Sequence, residues 1–342
     1  MKSRATKYLT SFGIILVLLL FVISFVRGNF IVKRSEKEFN STLQKGEAQT
    51  KGYSLQEIDA KTGLLRWELT AKEGETKEKS NVAVITDIQA KVYKDKEVIF
   101  ELNAPYGKAN AHKNEVYLSG GVTTKNKTGD FTLKSNQLGL GIGNGTSIEA
   151  KKGFDLTLKD KGDLSGESAL INEDQSKISV SNLKNASFKD LLFSGKKVSI
   201  QRDKNGDIEN AMITKGGEIV IKNKDSNDTL TASIINWIKN GTVEAIKNVV
   251  YISKDITFKA SYLALNPEGK ITANGHVQIK HGETNCSGNS LTYDNNSTVV
   301  IKGNSKAIQE GKEINADKIQ YDVNTGKVEA TGNVRTIING KA

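Results

Sequence analysis

The chain is poor in the residues that staple folds or carry out chemistry. Only one of its 342 residues is cysteine, Cys286, so no disulfide can form within it and stability must come from packing alone. Histidine occurs three times, as His112, His276 and His281. His276, His281 and Cys286 lie close together in sequence, but zinc takes four ligands in a compact arrangement and a fourth is missing. His112 stands in a turn with Lys113 and Asn114. There is no serine, histidine and aspartate set and no phosphate loop. Asp203-Lys204-Asn205-Gly206-Asp207 resembles the start of a calcium loop, yet Thr214 stands where the closing glutamate belongs, and Asn205-Gly206 makes a good hairpin turn. A coil-repeat hydrolase would gather its acids at one turn, whereas Asp294, Asp317, Asp322 and Glu329 share no column. The expectation is no enzyme, no metal and no cofactor.

Proline is also scarce, at two residues, and helical heptads are absent beyond the first 45 residues. Glycine, at 31, is plentiful, and asparagine, threonine and valine are common, as in many short strands joined by tight turns. The net charge is +10, but the lysines are spread evenly, with no arginine-rich block or stacking motif. This reads as solvated sheet faces and guarded edges, with no nucleic-acid partner.

What is present is a repeat. From Ile271 to Lys280, small or apolar residues alternate with mostly polar ones, the period of a strand with one dry face. Val243, Ile271, Val299 and Val328 form one inward column, at steps of 28, 28 and 29. Ala245, Ala273, Ile301 and Ala330 form the next; Lys247, Gly275, Gly303 and Gly332 the third; Val249, Val277, Ser305 and Val334 the fourth. Trp237, Leu265, Tyr293 and Tyr321 mark a second strand in step. Turns such as Asn240-Gly241 and Asn324-Thr325-Gly326 fall in register. Such self-similarity means a stacked architecture. It continues backwards through Gly217, Asn185, Gly153 and Gly121, with the units at Asn185 and Gly217 degenerate and the alternation near Met212 to Ile221 slipped by one. Each unit should hold two or three strands of about five residues.

The first residues are basic (Lys2, Arg4, Lys7), and Tyr8 to Val26 carries no charge, about the length that crosses a bilayer. Val26-Arg27-Gly28-Asn29-Phe30 is a poor cleavage site, so an uncleaved anchor is expected with its amino terminus in the cytoplasm and the rest exported. The division is a tail at 1–7, a membrane helix at 8–27, a tether at 28–46, a first β region at 47–225 and β repeats at 226–342.

Behind that anchor, Asp59-Ala60-x-Thr62-Gly63-x3-Trp67-x-Leu69-x-Ala71 resembles the LptC family of lipopolysaccharide-export proteins. Ala273-Asn274-Gly275-His276-Val277 and Ala330-Thr331-Gly332-Asn333-Val334 resemble the OstA-like domain of the LptA family. The resemblance covers about 60% of the chain; it is longer than a typical anchored member, and residues 155–229 match neither block well. It implies an all-β elongated twisted jelly roll, two facing antiparallel sheets holding acyl chains between them. It also implies a single-pass inner-membrane protein with a periplasmic conduit. That conduit takes lipopolysaccharide, or another lipid A-type glycolipid, from the permease subunits of an ABC transporter and passes it to LptA-like proteins docked head to tail.

From the residues alone, the inward columns either leave a slot for hydrocarbon or pack together as a sandwich core. The groove-lining candidates are Val243, Ala245, Val249, Ile271, Ala273, Val277, Ile279, Val299, Ile301, Val328, Ala330, Val334, Trp237, Leu265, Tyr293 and Tyr321. The alternative is a membrane-anchored structural or adhesive β-repeat protein without lipid cargo; the third is a β-helix hydrolase.

Overall fold

The computed structural model describes residues 47–338 apart from 78–80, 111–112, 114, 141–146, 224–225 and 295. The expected tail, membrane helix and tether lie outside the described residues, among which no helix is long and apolar enough to cross a membrane. Every helix or strand found there is a strand. In chain order these are β1 (Glu47–Ile58), β2 (Leu65–Lys77), β3 (Val82–Lys94), β4 (Glu97–Asn110), β5 (Glu115–Asn126), β6 (Phe131–Leu140) and β7 (Ile148–Leu158). They continue with β8 (Gly162–Ile171), β9 (Lys177–Phe188), β10 (Leu191–Arg202), β11 (Ile208–Lys222), β12 (Asn227–Ile238), β13 (Val243–Ser253) and β14 (Ile256–Leu265). The last are β15 (Ile271–His281), β16 (Thr284–Tyr293), β17 (Thr298–Gln309), β18 (Lys312–Asp322), β19 (Val328–Thr331) and β20 (Arg335–Ile338).

The topology is a plain antiparallel meander. Each strand pairs with its sequence neighbours, from β1–β2 through β17–β18. The two short segments β19 and β20 then share the far edge of β18. β11 and β12 pair across the expected boundary at 225/226, so the ladder runs unbroken through residues 155–229.

The strands are longer than expected, 10 to 15 residues from β1 to β18, and there are two per unit. The reason is a bulge in the middle, which the chain crosses without leaving the ladder. Two successive residues take left-handed φ at Gly120-Gly121, Lys152-Gly153, Lys215-Gly216, Lys247-Asn248, Gly275-His276, Gly303-Asn304 and Gly332-Asn333. Asp87 and Asn182 are the single-residue counterparts in β3 and β9. The repeat therefore reaches through the units that look degenerate in sequence.

Two sequence expectations are corrected here. Lys247, Gly275, Gly303 and Gly332 are not an inward column: they open the bulges, at φ 66°, 77°, 77° and 75°, and none is buried. Nor does the alternation slip between Met212 and Ile221, because Ala211, Ile213 and Ile219 are all buried and the bulge between them uses an even number of residues; the parity change in β11 lies earlier, between Ile208 and Ala211.

The bulges form a seam along which the sheet folds. A strand of eleven residues laid flat is about 36 Å long. Yet Gln309, at the end of β17, donates to the carbonyl of Gly326, beyond the opposite end of β18, at 3.0 Å. His281 Nδ1, closing β15, lies 2.6 Å from the hydroxyl of Tyr321 at the other end of β18. Opposite strand ends meet, so the two facing layers are leaves of one sheet with its spine at the bulges. One continuous apolar core from Trp67 to Tyr321 fills the space between them.

Candidate functional site

Folding each strand at its middle brings two rows of hairpin turns together as the lips of a mouth. Over most of its length the mouth is shut by what lies inside. Leu69, Ile85, Phe100, Val116, Leu133 and Ile148 are fully buried although only the opposite leaf and neighbouring strands can cover them.

Between β9 and β16 the lips part. A cavity of about 1130 Å³ opens there, floored by Phe188, Ile208, Tyr251, Ile256, Phe258 and Leu265. Its lips are turns from both rows: Lys189-Asp190 and Lys254 on one side, Asp207, Lys239-Gly241 and Asn266–Gly269 on the other. The volume is at the upper end for pockets that enclose a drug-sized molecule, about 300–1,000 Å³. Inside, rings are stacked at an angle, Tyr251 to Phe258 at 5.8 Å and Phe258 to Tyr293 at 5.9 Å between centroids.

Polar ties across the lips flank this window. Before it, Lys161 in the β7–β8 turn pairs across the mouth with Asp207 in the β10–β11 turn, and along that second lip Lys239 Nζ bonds Asp203 at 2.7 Å and Asp207 at 3.3 Å. The Lys239 ammonium, with the backbone amide of Asn205, holds the Asp203 carboxyl below its usual range. After it, His281 Nε2 contacts Asp255 at 2.8 Å while Nδ1 meets Tyr321. That explains the two sets weighed as metal sites. The Asp203 carboxylate organises its own turn, accepting from the amides of Asn205 and Asp207. Burial pushes the Cys286 thiol up to about 11. His112 lies outside the described residues.

Of the groove candidates, Trp237, Val243, Leu265 and Tyr293 line the window. Ala245, Val249, Ile271, Ala273, Val277, Ile279, Val299, Ile301 and Tyr321 are buried between the leaves. Val328 and Ala330 are half-buried, and Val334, on the outermost segment, is exposed. The sequence reading missed Asp228, Tyr251, Phe258 and Ile208. The signal for Asp228 was present: it shares the inward parity of Leu230 and Ala232 at the start of β12.

Asp228 is 8% exposed. Its Oδ2 accepts from the Tyr251 hydroxyl at 2.8 Å and from Asn223 Nδ2 at 2.9 Å. Burial, and then the neighbouring carboxylate, raise the Tyr251 phenol above its usual value.

At the amino-terminal end, the Asp59 carboxylate accepts from the amides of Lys61 and Thr62 at 2.8 and 2.9 Å and pairs with Arg66. Those two amides, with Arg66, hold it down at about 2. Arg66 also bonds Glu57, as does the indole of the buried Trp67. The Asp59–Ala71 motif is thus a turn locked to the first hairpin.

Residues 14–142 match the family described as lipopolysaccharide-assembly, LptC-related. That stretch includes the Asp59–Ala71 motif. No curated protein matches the chain. Among similar solved structures is LptH from Pseudomonas aeruginosa, described as the LptA-homologous periplasmic component of the conserved lipopolysaccharide transport device. It is 14% identical, with 52% of this chain and 94% of that chain covered and a TM-score of 0.20.

Proposed function

We propose that this chain is a lipid-carrying conduit of the bacterial cell envelope, anchored in the inner membrane by residues 8–27. It takes lipopolysaccharide or a related lipid A-type glycolipid from an ABC transporter and hands it to LptA-like proteins docked on its open carboxy-terminal edge. Hydrocarbon lodges between the leaves at the window and the polar head stays among the lysines and carboxylates of the lips. The single observation that carries this reading is the window itself: an apolar, aromatic-floored cavity of about 1130 Å³ with charged lips on a folded sheet. The LptC-related match over residues 14–142 supports the class of cargo. Each methylene moved from water to such a floor contributes about 0.8 kcal/mol, so chains bind firmly with few directed contacts. The conduit is moved by its supplier, since the sequence has no nucleotide-binding loop.

A photo-crosslinker at Val243 or Leu265, in the window, should capture glycolipid in cells, and one at outward Val84 should not. Equal capture at all three, or none, would leave the second reading, an anchored structural β-repeat rod. The filled interior of β1–β8 is the observation favouring that second reading.

A further inference from the structure

The strands that floor the window have a second face. In β14, Ile256 and Phe258 are buried against the window, while Thr257 and the exposed Lys259 belong to the outer face of the leaf. There β14 to β17 form a hollow of about 510 Å³. Its make-up follows from the register. Lys259 pairs with Gln278, Gln278 with Ser287 and Ser287 with Lys306, one row across four strands with a lysine at each end. Two residues along β15, Lys280 pairs with Asn285, which pairs in turn with Ile308. Lysines often guard sheet edges, but these four strands are each paired on both sides. Elsewhere on the outer faces a lysine meets an acid of the next strand, as Lys91 meets Glu68 and Lys72 meets Asp87, both at 3.8 Å. Here Lys306 pairs with Glu313 on β18, outside the hollow, at 2.8 Å, and among the described residues Lys259 and Lys280 have no ion-pair partner. Those two sit on a diagonal of adjoining strands, where residues are about 7–8 Å apart, within the reach of charges at physiological salt. Gathering like charges in this way costs stability, which an anionic partner restores.

We propose that this hollow docks an extended acidic segment of a partner protein, with carboxylates on Lys259, Lys280 and Lys306 and one aliphatic side chain on Ile308. The lining sets that chemistry. Gln278 and Asn285 each present an amide donor beside an amide acceptor, the complement of a peptide unit. Ile308, 38% exposed, is the apolar spot among them. None of the lining residues is an arginine, whose planar fork grips phosphate with two bonds, and none is an aromatic ring, the platform for a stacked base. The row of four strands spans about 14 Å, which is about four residues of extended chain. The hollow lies on the opposite face of the leaf from the window, so the guest of the window does not touch it. The assignment is therefore independent of the lipid-carrying reading.

The test titrates the full chain, in nanodiscs of zwitterionic phosphatidylcholine, into the rhodamine-labelled peptide Glu-Glu-Ile-Glu-Glu and reads its anisotropy. The control peptide is Gln-Gln-Ile-Gln-Gln. Exposed ion pairs are individually weak, so three together should favour the acidic peptide about tenfold at low salt, and the preference should shrink as salt is raised. Lys259→Gln with Lys280→Gln should weaken the acidic peptide about fivefold and leave the control peptide unchanged. Lys108→Gln with Lys125→Gln takes the same charge from exposed positions on the outer face of β4 and β5 and should change neither. All four positions are exposed, so folding is preserved in both variants. Equal binding of the two peptides by the wild type overturns the assignment. Equal weakening by the two double variants overturns it too, because net charge and not the hollow then holds the peptide. Tighter binding of an oligogalacturonate of equal charge, or displacement of the peptide by inorganic phosphate at matched ionic strength, gives the hollow to a glycan or to phosphate and overturns the peptide. Glycolipid capture at Val243 and Leu265 is read separately, so failure here leaves the conduit standing.

Discussion

The two halves of the folded sheet share one backbone plan and differ in what fills it. Between β1 and β8 the leaves are spaced by Trp67, Phe100, Phe131, Leu69, Leu102, Leu118, Leu133 and Leu138, all fully buried or nearly so. From β9 on, isoleucine takes over many of the inward positions that leucine holds before, such as Ile213, Ile219, Ile235, Ile271 and Ile301, while alanine is about as frequent in both halves. The side chains are therefore of similar size, yet the large cavity lies in this half, where the two rows of turns stand apart. An identical fold can thus serve as a filled strut in one stretch and as a container in another, with the parting of the lips deciding between them.

That contrast can be broken by truncation. Phe131 is fully buried in the filled half, so Phe131→Ala should cost about 3–5 kcal/mol, read from urea unfolding. Leu265→Ala removes atoms that already border the window, adds little new void and should cost less than about 2 kcal/mol. Equal losses would mean that the two halves are filled alike. Overpacking gives the converse. Ala150→Phe, at a fully buried site, should destabilise by about 1–3 kcal/mol. Val243→Phe can swing into the window, should stay within about 1 kcal/mol of the wild type, and should reduce glycolipid crosslinking at Leu265.

A weaker effect separates the window from its lips. Lys161 and Asp207 are each about a third exposed, at 35% and 36%, so their ion pair contributes little to stability in solvent. Lys161→Met should change the unfolding free energy by less than about 1 kcal/mol. It should nevertheless widen the window, raising capture by a crosslinker at Val243. A large loss of stability would show that the tie holds the halves together instead of bounding the opening.

The sheet was legible in the sequence to an uneven degree, for a reason visible in the bulges. In β13, β15 and β17 the bulge takes two residues, an even step, so Val243, Ala245, Val249 and Tyr251 keep one parity from end to end. In β14 the buried set is Ile256, Phe258, Ala260 and then Leu263 and Leu265, which changes parity at the seam. A period-two reading follows the first kind of strand and loses the second, which is where Phe258 lies. The glycines that recur in the third column were visible too, but recurrence alone does not tell an inward position from a left-handed one. The window needed tertiary information, because its floor and lips come from strand ends distant in sequence. Asp228 was readable as an acid on an inward parity, and its bonds to Tyr251 and Asn223 were not.

The mildest contrast is in acid. Asp59 anchors the first hairpin and titrates at about 2 because the amides of Lys61 and Thr62 and the Arg66 guanidinium favour its charged form. A carboxyl whose folded value lies below its unfolded one stabilises the fold above the unfolded value, near 4, and loses that contribution as pH falls toward 2. In Asp59→Asn the acid-sensitive part of this contribution is gone. Amide exchange measured between pH 5 and pH 2.5 should therefore rise in wild-type β1 and β2 more steeply than in the variant. The window strands β12 to β14 should respond alike in both proteins, because Asp59 touches none of them. If β12 to β14 also changed with the substitution, the halves would open as one cooperative unit, and the division between strut and container would be one of packing without any difference in local stability.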